Sequence, residues 1–293
     1  MSPLLLIDGN SLTYRAFFAL PTDMATTSGQ VTNAVFGFAS MLAALLRDHD
    51  PIGVAVAFDL PGPTFRHEKL ADYKANRERQ PDILYEQLDL VREMVMALGL
   101  RAVDAKGFEA DDVIATLATM ARDGGRDVLV VTGDRDAYQL VEDPHIRVLY
   151  NKRGVSEYVL YDEAGIRDRT GVDPADYVEY AALRGDQSDN LPGVPGVGEK
   201  TAARLINAHG DLDGVFAAVD EQTPKLRENL AGNEARARLN AELMVLVRDV
   251  PLDVGVTELE RQPVDVERAR GLFDLLELTT VRERLGLALG VEF

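Results

Sequence analysis

Carboxylate side chains follow three short apolar runs that have the pattern of buried strands. Asp8, Asp59 and Asp134 each stand at the end of such a run, and Asp136 follows Asp134 by two positions. Because ligands bind outside the carboxyl ends of the strands in an open parallel sheet, we expect these aspartates to converge at one edge. Alternatively, any one of them is an ordinary turn residue or helix N-cap.

Two further acidic clusters extend this set. Glu109, Asp111 and Asp112 precede an apolar helical stretch, and Asp186 and Asp189 precede a proline-glycine segment. The first cluster is also compatible with a helix start, where acids are favourable, and the second with a polar loop and an N-cap. If the second segment is helical, its two aspartates share one face. The predicted metal-binding set is Asp8, Asp59, Glu109, Asp111, Asp112, Asp134, Asp136, Asp186 and Asp189.

So many carboxylates cannot lie close together without cations, because like charges at short range force some of them to bind protons. Ligation by oxygen alone, without cysteine and with histidines that lack ligand spacing, favours Mg²⁺ or Mn²⁺ over zinc. The number of acids suits two ions, the arrangement used for phosphoryl chemistry.

A segment rich in glycine and proline, residues 191–203, is the second distinctive feature. Gly193, Gly196 and Gly198 precede a helical pattern that contains Lys200. Such a turn permits a phosphate to approach backbone N–H groups and a helix N-terminus. An ordinary loop between two helices is the alternative, and the spacing is not that of a Walker loop.

Residues 64–80 form the one locally basic stretch, and they follow the strand that ends in Asp59. Within it, Lys74 and Arg77 would project together from a helix. Cations that face a metal site would stabilise a scissile phosphate. A charged, solvated surface helix is the alternative interpretation.

The elements that must position these residues alternate between strand and helix in the first half of the chain. Runs at 4–7, 54–58 and 128–131 are typical of buried strands, and 34–46, 83–98 and 113–121 have helical spacing. This pattern predicts an α/β fold with a central, mostly parallel sheet flanked by helices. Helical patterns dominate after about residue 173, so we predict domains at 1–172 and 173–293.

The composition is that of a globular protein but the charge is strongly acidic. The chain has 293 residues, a net charge of −18 and no cysteine, which excludes a disulfide scaffold, a thiolate metal site and a cysteine nucleophile. No apolar run is long enough for a membrane span and no signal peptide is evident, so we expect a cytoplasmic protein. Nucleic-acid binders are usually basic, so the acids must be concentrated in a site if DNA is the partner.

These motifs together resemble the 5′-nuclease family, and within it most the N-terminal 5′→3′ exonuclease domain of bacterial DNA polymerase I, which is related to the flap endonucleases. The resemblance covers residues 4 to about 210, and weaker similarity continues beyond. The segments that carry it are LLLIDGNSLTYRAF, AFDLPGPTFRHE, YKANR, GFEADDVIATLA, VVTGDRDAYQL and ALRGDQSDNLPGVPGVGEKTAARL.

The resemblance implies a PIN-like nuclease domain and a role for each acid. One Mg²⁺ or Mn²⁺ would lie among the residues at 8, 59, 109 and 111, and the other among those at 134, 136, 186 and 189. Asp112 would assist through water or from behind the ligands. Lys74 and Arg77 would belong to a helical arch at about 64–80 and act as catalytic residues on the scissile phosphate.

The resemblance also implies contacts with DNA. Tyr14 would stack on a base beside the cleaved bond, although a core tyrosine is the alternative, and Arg66 is assigned to DNA binding. Gly193, Gly196, Gly198 and Lys200 would belong to a helix–hairpin–helix at about 190–209 that grips duplex DNA, with K⁺ as a further ion.

The implied function is a Mg²⁺-dependent, structure-specific 5′→3′ exonuclease and 5′-flap endonuclease that uses two metal ions in DNA replication and repair. Its substrate would be duplex DNA with a 5′ flap, nick or 5′ end, or an RNA primer. We expect a nucleoid-associated monomer, linked to a polymerase domain or partner. A phosphatase with an aspartate nucleophile and a DNA-binding module without catalysis are the competing hypotheses; the first would need an aspartate where Asn10 stands.

Overall fold

The computed structural model describes residues 2–293 and contains a six-stranded central sheet in the order β3-β2-β1-β4-β5-β6. The first five strands are parallel and β6 runs antiparallel to β5. The predicted α/β class with a mostly parallel sheet is confirmed. The strands are β1 (Leu4–Asp8), β2 (Gly53–Ala57), β3 (Arg101–Val103), β4 (Val128–Thr132), β5 (Ile146–Arg153) and β6 (Glu157–Tyr161).

Helices cover both faces of this sheet, which explains why its central strands are apolar throughout. Alternate residues of β1 enter different cores: Leu4 and Leu6 pack on the face covered by α5, and Leu5 and Ile7 pack on the face covered by α2 and α4. The helices of this part are α1 (Gly9–Ala19), α2 (Asn33–His49), α3 (Phe65–Lys69), α4 (Asp82–Ala97), α5 (Ala110–Asp123) and α6 (Glu163–Thr170).

The remainder of the chain is mainly helical. A two-stranded hairpin interrupts it, and no helix among residues 2–293 is long and apolar enough to cross a membrane. Its elements are α7 (Tyr177–Arg184), β7 (Gly185–Asp186), β8 (Leu191–Pro192), α8 (Glu199–His209), α9 (Leu212–Ala217), α10 (Pro224–Ala231), α11 (Glu234–Met244), α12 (Val266–Leu275) and α13 (Thr279–Leu289). Short 3-10 helices lie at 174–176, 219–221 and 256–259 in this part, and at 136–140 between β4 and β5.

The last two helices do not belong to a separate helical body, in contrast to the prediction of one domain over 173–293. Phe273 on α12 and Val281 and Leu285 on α13 are buried in the same core as α2 and α4. Their apolar faces are complementary to the sheet-covering helices, a relation between distant segments that local periodicity does not encode.

The segment 64–80 is not a helical arch. It is helical only over α3, and turns follow from residue 71. Lys74 has a left-handed backbone (φ 56°), and its N–H donates to the carbonyl of Asp189 at 3.0 Å. The backbone N–H of Lys74 is thus used by the loop 187–190, and the left-handed conformation at this residue interrupts a helix.

Residues 243–250, the last two residues of α11 and the irregular segment after it, pack against the sheet domain; we call this stretch the strap. Buried side chains from three elements satisfy its backbone. Arg66 donates to the carbonyls of Leu243 (2.7 Å) and Val245 (3.2 Å). The Val247 N–H donates to Asp112 at 3.0 Å. Thr116 and Gln139 supply further bonds to the strap.

The ion pair between Arg66 and Asp112 is the centre of this junction. It has two hydrogen bonds, of 2.6 and 2.8 Å, and the Asp112 side chain is fully buried. Since an unpaired buried charge is costly, Arg66→Met should lower the free energy of unfolding by about 3–5 kcal/mol in urea denaturation. Lys69→Met is the matched control, because Lys69 pairs with Glu242 at the surface, where loss costs less than about 1 kcal/mol. Equal effects of the two substitutions would contradict this account.

Candidate active site

The carboxyl edge of the sheet brings Asp8 and Asp134 together. Asp8 ends β1 and caps α1: one carboxylate oxygen accepts the Ser11 N–H at 2.8 Å and the other accepts the Thr132 hydroxyl at 2.8 Å. Thr132 in turn accepts the Asp134 N–H at 3.0 Å. The threonine therefore connects the ends of two neighbouring strands and fixes their acids relative to each other.

Asp59 connects the end of β2 to the start of α5. Its carboxylate accepts the Ala110 N–H at 2.8 Å, and its own N–H donates to Asn10 at 3.1 Å. Ala110 immediately precedes Asp111, so this bond places Asp111 beside the strand ends. Asp136 joins them on a 3-10 turn, with its N–H donating to Asp134 at 2.9 Å.

The pKa values of these acids show how closely they crowd one another. Burial, followed by repulsion from Asp59 and Asp134, raises the pKa of Asp8 to about 7. The pKa of Asp111 is raised well above its ordinary value by burial and by Asp8 and Asp134. Burial and Asp134 do the same to Asp136. These carboxylates come from separate parts of the chain and interact electrostatically at one edge of the sheet.

Lys74 and Arg77 form the basic side of the cluster, where they pair with Glu109 and Asp189. Lys74 Nζ lies 2.8 Å from Glu109 and 3.9 Å from Asp189, and Arg77 donates to Asp189 at 2.7 Å. Although burial alone would raise the pKa of Glu109, Lys74 and Arg66 hold it below its ordinary value. The two cations meet the same acids from a turn rather than from a helix.

Asp186 and Asp189 lie on a hairpin, not on the helical face considered above. Asp186 is in β7 and accepts the Ser188 N–H at 2.7 Å, and Asp189 is in the tight turn before β8. A left-handed Asn190 (φ 59°) closes this turn and excludes a helix.

The acids are held by donors of the protein. Ser11 and Thr132 donate to Asp8, Ala110 donates to Asp59, and Arg77 donates to Asp189. Among residues 2–293 no three His, Asp or Glu side chains have the geometry of a metal site. The donor set itself, carboxylate oxygens alone, suits hard divalent cations.

Two predicted site residues have other roles. Asp112 accepts two bonds from Arg66, one from Val247 and one from the Glu109 N–H (3.1 Å), so these protein donors occupy its oxygens. Arg66 is 1% exposed and therefore does not reach DNA. The assignment of Arg66 to DNA binding is wrong, and these contacts leave Asp112 no oxygen for direct metal binding, whereas its action from behind the ligands stays a prediction. Both residues lie in a junction that their sequence neighbourhood does not reveal.

The glycine segment is placed beside the acids, between α7 and α8. At Gly193 any Cβ would lie 2.1 Å from the Arg184 carbonyl, so this glycine permits close packing of the hairpin on α7. Gly196 has φ 77° and, like Gly198 and Lys200, faces solvent. Glu199 starts α8 and lines a cleft of about 580 Å³ together with Asp134 and Asp186.

Tyr73 is a site residue that the sequence reasoning missed. Its hydroxyl lies 2.8 Å from a carboxylate oxygen of Asp189 and 3.1 Å from one of Glu109, so its single proton is shared between two acids of the cluster. Its position next to Lys74 was the available signal. The main cleft, about 950 Å³, runs from the acids past Tyr14, which is half-buried at its wall.

Comparison with solved structures shows the same fold at low sequence identity. The chain matches the T5 5′-exonuclease with bound zinc at a TM-score of 0.71, with 20% identity over 94% of this chain and 99% of that one. The catalytic core of Rad2 in complex with DNA substrate matches at 0.67, with 18% identity over 98% of this chain and 92% of that one.

Sequence comparison identifies the family. Curated relatives include DNA polymerase I of Mycobacterium tuberculosis, 49% identical over 96% of this chain, and that of Bacillus caldotenax, 40% identical over 96%. The chain spans about a third of their length, 31% and 32% respectively. Residues 3–171 match the 5′-3′ exonuclease N-terminal resolvase-like domain and residues 172–267 match the 5′-3′ exonuclease C-terminal SAM fold. On these grounds the chain belongs to the 5′-3′ exonuclease family.

Proposed function

We propose that the chain hydrolyses DNA phosphodiester bonds beside a 5′ flap, nick or 5′ end, or behind an RNA primer, as a Mg²⁺-dependent 5′→3′ exonuclease and flap endonuclease. The observation that carries the proposal is the carboxylate cluster that faces Lys74 and Arg77 in an open cleft. Carboxylates that lie this close together need cations to offset their repulsion, and the same cations would stabilise negative charge on a scissile phosphate.

Eight acids would hold two divalent cations. Asp8, Asp59, Glu109 and Asp111 lie toward β1, β2 and α5, and Asp134, Asp136, Asp186 and Asp189 lie toward β4 and the hairpin. Bound there, the ions would supply an activated water and offset charge on the phosphate. Asp112 is excluded from this set because Arg66 and Val247 occupy its oxygens.

Lys74 and Arg77 would orient the phosphate. Their present partners, Glu109 and Asp189, belong to the proposed ligands, so cations that neutralise these acids would leave both side chains available to a phosphate. Arg77 is the more accessible, since 48% of its side chain is exposed against 18% for Lys74. Lys74 would therefore contact the phosphate beside the carboxylates, and Arg77 would contact it nearer the entrance of the main cleft.

The glycine segment would hold the duplex. Gly196, Gly198 and Lys200 are exposed and flank Glu199, which lines the cleft of about 580 Å³. They would offer backbone N–H groups and a cation to phosphates, with a K⁺ ion as an additional bridge. Such contacts carry no sequence preference, and the acidic net charge of −18 makes them strongly dependent on salt. A polymerase domain or partner would use the product.

Asp134→Asn should abolish cleavage of a labelled flap duplex in Mg²⁺, by roughly a thousandfold, while leaving DNA affinity largely intact. The matched control is Asp127→Asn, because Asp127 stands at the opposite end of the same strand and pairs with His145. A variant that retains cleavage would contradict the metal assignment. A wild-type protein that binds the flap but does not cleave it in Mg²⁺ or Mn²⁺ would leave only the binding-module hypothesis.

Lys74→Met should lower the single-turnover cleavage rate by about a hundredfold at saturating DNA, because one preorganised cation is lost from the transition state. Lys69→Met, in the same segment but exposed and away from the acids, should cleave at the normal rate. Indistinguishable rates for the two variants would show that Lys74 does not act on the phosphate.

The stability of the protein in EDTA should fall as pH rises. A raised pKa means that the folded state retains protons that the unfolded chain has released, so the favourable term is complete below about pH 4 and is lost as Asp8 ionises near 7. Mg²⁺ should therefore increase Tm more at pH 8 than at pH 5, since ionised acids bind the ion. Asp134→Asn should reduce that increase; an equal Mg²⁺ effect at both pH values would contradict this account.

A further inference from the structure

Three arginine side chains converge on one carboxylate beside the cleft of about 580 Å³, which we call the second cleft. Arg135 follows β4, Arg169 lies near the end of α6, and Arg184 ends α7. Their guanidinium nitrogens lie 3.6, 3.9 and 3.9 Å, respectively, from carboxylate oxygens of Glu199, the first residue of α8. Because like charges repel, three cations around one carboxylate leave positive charge that a further anion would neutralise.

Glu199 is a loosely held partner for these cations. None of its three contacts is as short as a hydrogen bond between N–H and oxygen, which spans about 2.7–3.2 Å. Half of the Glu199 side chain is exposed, and Arg135 and Arg169 are also open to solvent. Exposed ion pairs of this geometry contribute little free energy. An anion that accepts hydrogen bonds from more than one guanidinium would therefore displace the carboxylate.

Arg184 is fixed in position although its charge is weakly compensated. Its Nε donates to the Gly185 carbonyl at 3.1 Å, and its guanidinium carbon lies 5.3 Å from the centre of the buried Tyr180 ring. Its carboxylate neighbours, Asp186 and Glu199, are both 3.9 Å from its terminal nitrogens. The protein thus orders this side chain before any ligand binds.

A phosphate group matches this arrangement. Its oxygens accept hydrogen bonds from several directions, and the planar fork of arginine suits them. The start of α8 adds donors, because Gly198 precedes it without a side-chain cap and leaves its first N–H groups available. The second cleft shares Asp134 and Ser188 with the main cleft, so a strand that crosses the carboxylates continues toward the arginines.

Building on the proposed function, we propose that Arg135, Arg169 and Arg184, here called the arginine triad, bind a backbone phosphate of the DNA, and that Glu199 occupies this subsite in the free protein. The incoming phosphate displaces the Glu199 carboxylate. Because the arginines are already gathered around Glu199, DNA does not have to order them. The contact carries no sequence information but fixes the position of the DNA relative to the acids.

The Kd for a fluorescent nicked duplex in EDTA tests both parts of the proposal. Glu199→Gln should lower the Kd about fivefold at low salt, because an anion that competes with the phosphate is lost. Arg169→Met should raise the Kd about fivefold and make it less dependent on salt, because a cation of the subsite is lost.

Two matched controls correct for the change of net charge. Glu234→Gln replaces another acid that begins a helix and pairs with an arginine, and its side chain is 46% exposed against 50% for Glu199. Arg147→Met replaces an exposed arginine at the opposite end of the sheet. Both controls should keep the wild-type Kd. Equal Kd values for Glu199→Gln and Glu234→Gln, or for Arg169→Met and Arg147→Met, would overturn the arginine triad.

The double variant separates displacement of Glu199 from general repulsion of DNA. If Glu199 acts through the triad, Glu199→Gln should improve binding less in the Arg169→Met background than in the wild-type protein. Equal improvement in both backgrounds would overturn the role of Glu199. Arg169→Lys keeps the charge without the planar fork and should give an intermediate Kd, a comparison that remains valid if Arg169→Met does not fold.

Modified DNA identifies the source of the phosphate. Single phosphates of the duplex are replaced in turn by uncharged methylphosphonates. One replacement should weaken binding to the wild-type protein and leave binding to Arg169→Met unchanged. Inorganic phosphate at constant ionic strength is the alternative source. If it raised the Tm of the wild-type protein but not of Arg169→Met, and no methylphosphonate had the expected effect, the subsite would bind free phosphate and the assignment to DNA would be overturned.

Failure of the proposed function is distinguishable from failure of this subsite. It would appear as absent cleavage by the wild-type protein in Mg²⁺, while the differences in Kd among the variants in EDTA persist.

Discussion

Repulsion among buried carboxylates at the edge of the sheet is the interaction on which the rest of this structure depends. Burial and neighbouring acids raise the pKa of Asp8 to about 7 and raise that of Asp111 and Asp136 as well. Because this repulsion destabilises the folded state, each acid must be held by hydrogen-bond donors at fixed positions. The backbone N–H groups at the starts of α1 and α5 serve that purpose, since helix N-termini favour negative charge.

Basic side chains further offset the repulsion among the carboxylates. Lys74 and Arg77 come from a turn that is bonded to the loop 187–190, through the Lys74 N–H to the Asp189 carbonyl and through the Arg77 side chain to the Ser188 carbonyl. The basic and acidic sides of the site are therefore built as one unit. Behind them, Arg66 and Asp112 neutralise each other and attach the strap. The buried pair of Arg66 and Asp112 thus stabilises the junction between the two parts of the chain, whereas Lys74 and Arg77 place positive charge in the cleft.

The distribution of charge reconciles an acidic protein with a nucleic-acid substrate. A net charge of −18 repels DNA at long range, but the cleft presents lysine, arginine and aromatic rings beside the acids. Affinity would then come from local phosphate contacts and stacking, and divalent cations would change the sign of the potential where the strand is cut.

The sequence alone determined three central strands, the sheet class, the family and the edge at which the acids meet, because apolar periodicity is local and parallel strands share one carboxyl edge. It also placed Lys74 and Arg77 beside those acids. Only the tertiary structure decided that Arg66 and Asp112 are buried partners, that 64–80 is mostly turn, and that α12 and α13 pack on the sheet domain. Those outcomes depend on contacts such as Asp112 with Val247, 135 residues apart, whose free energy no local pattern contains.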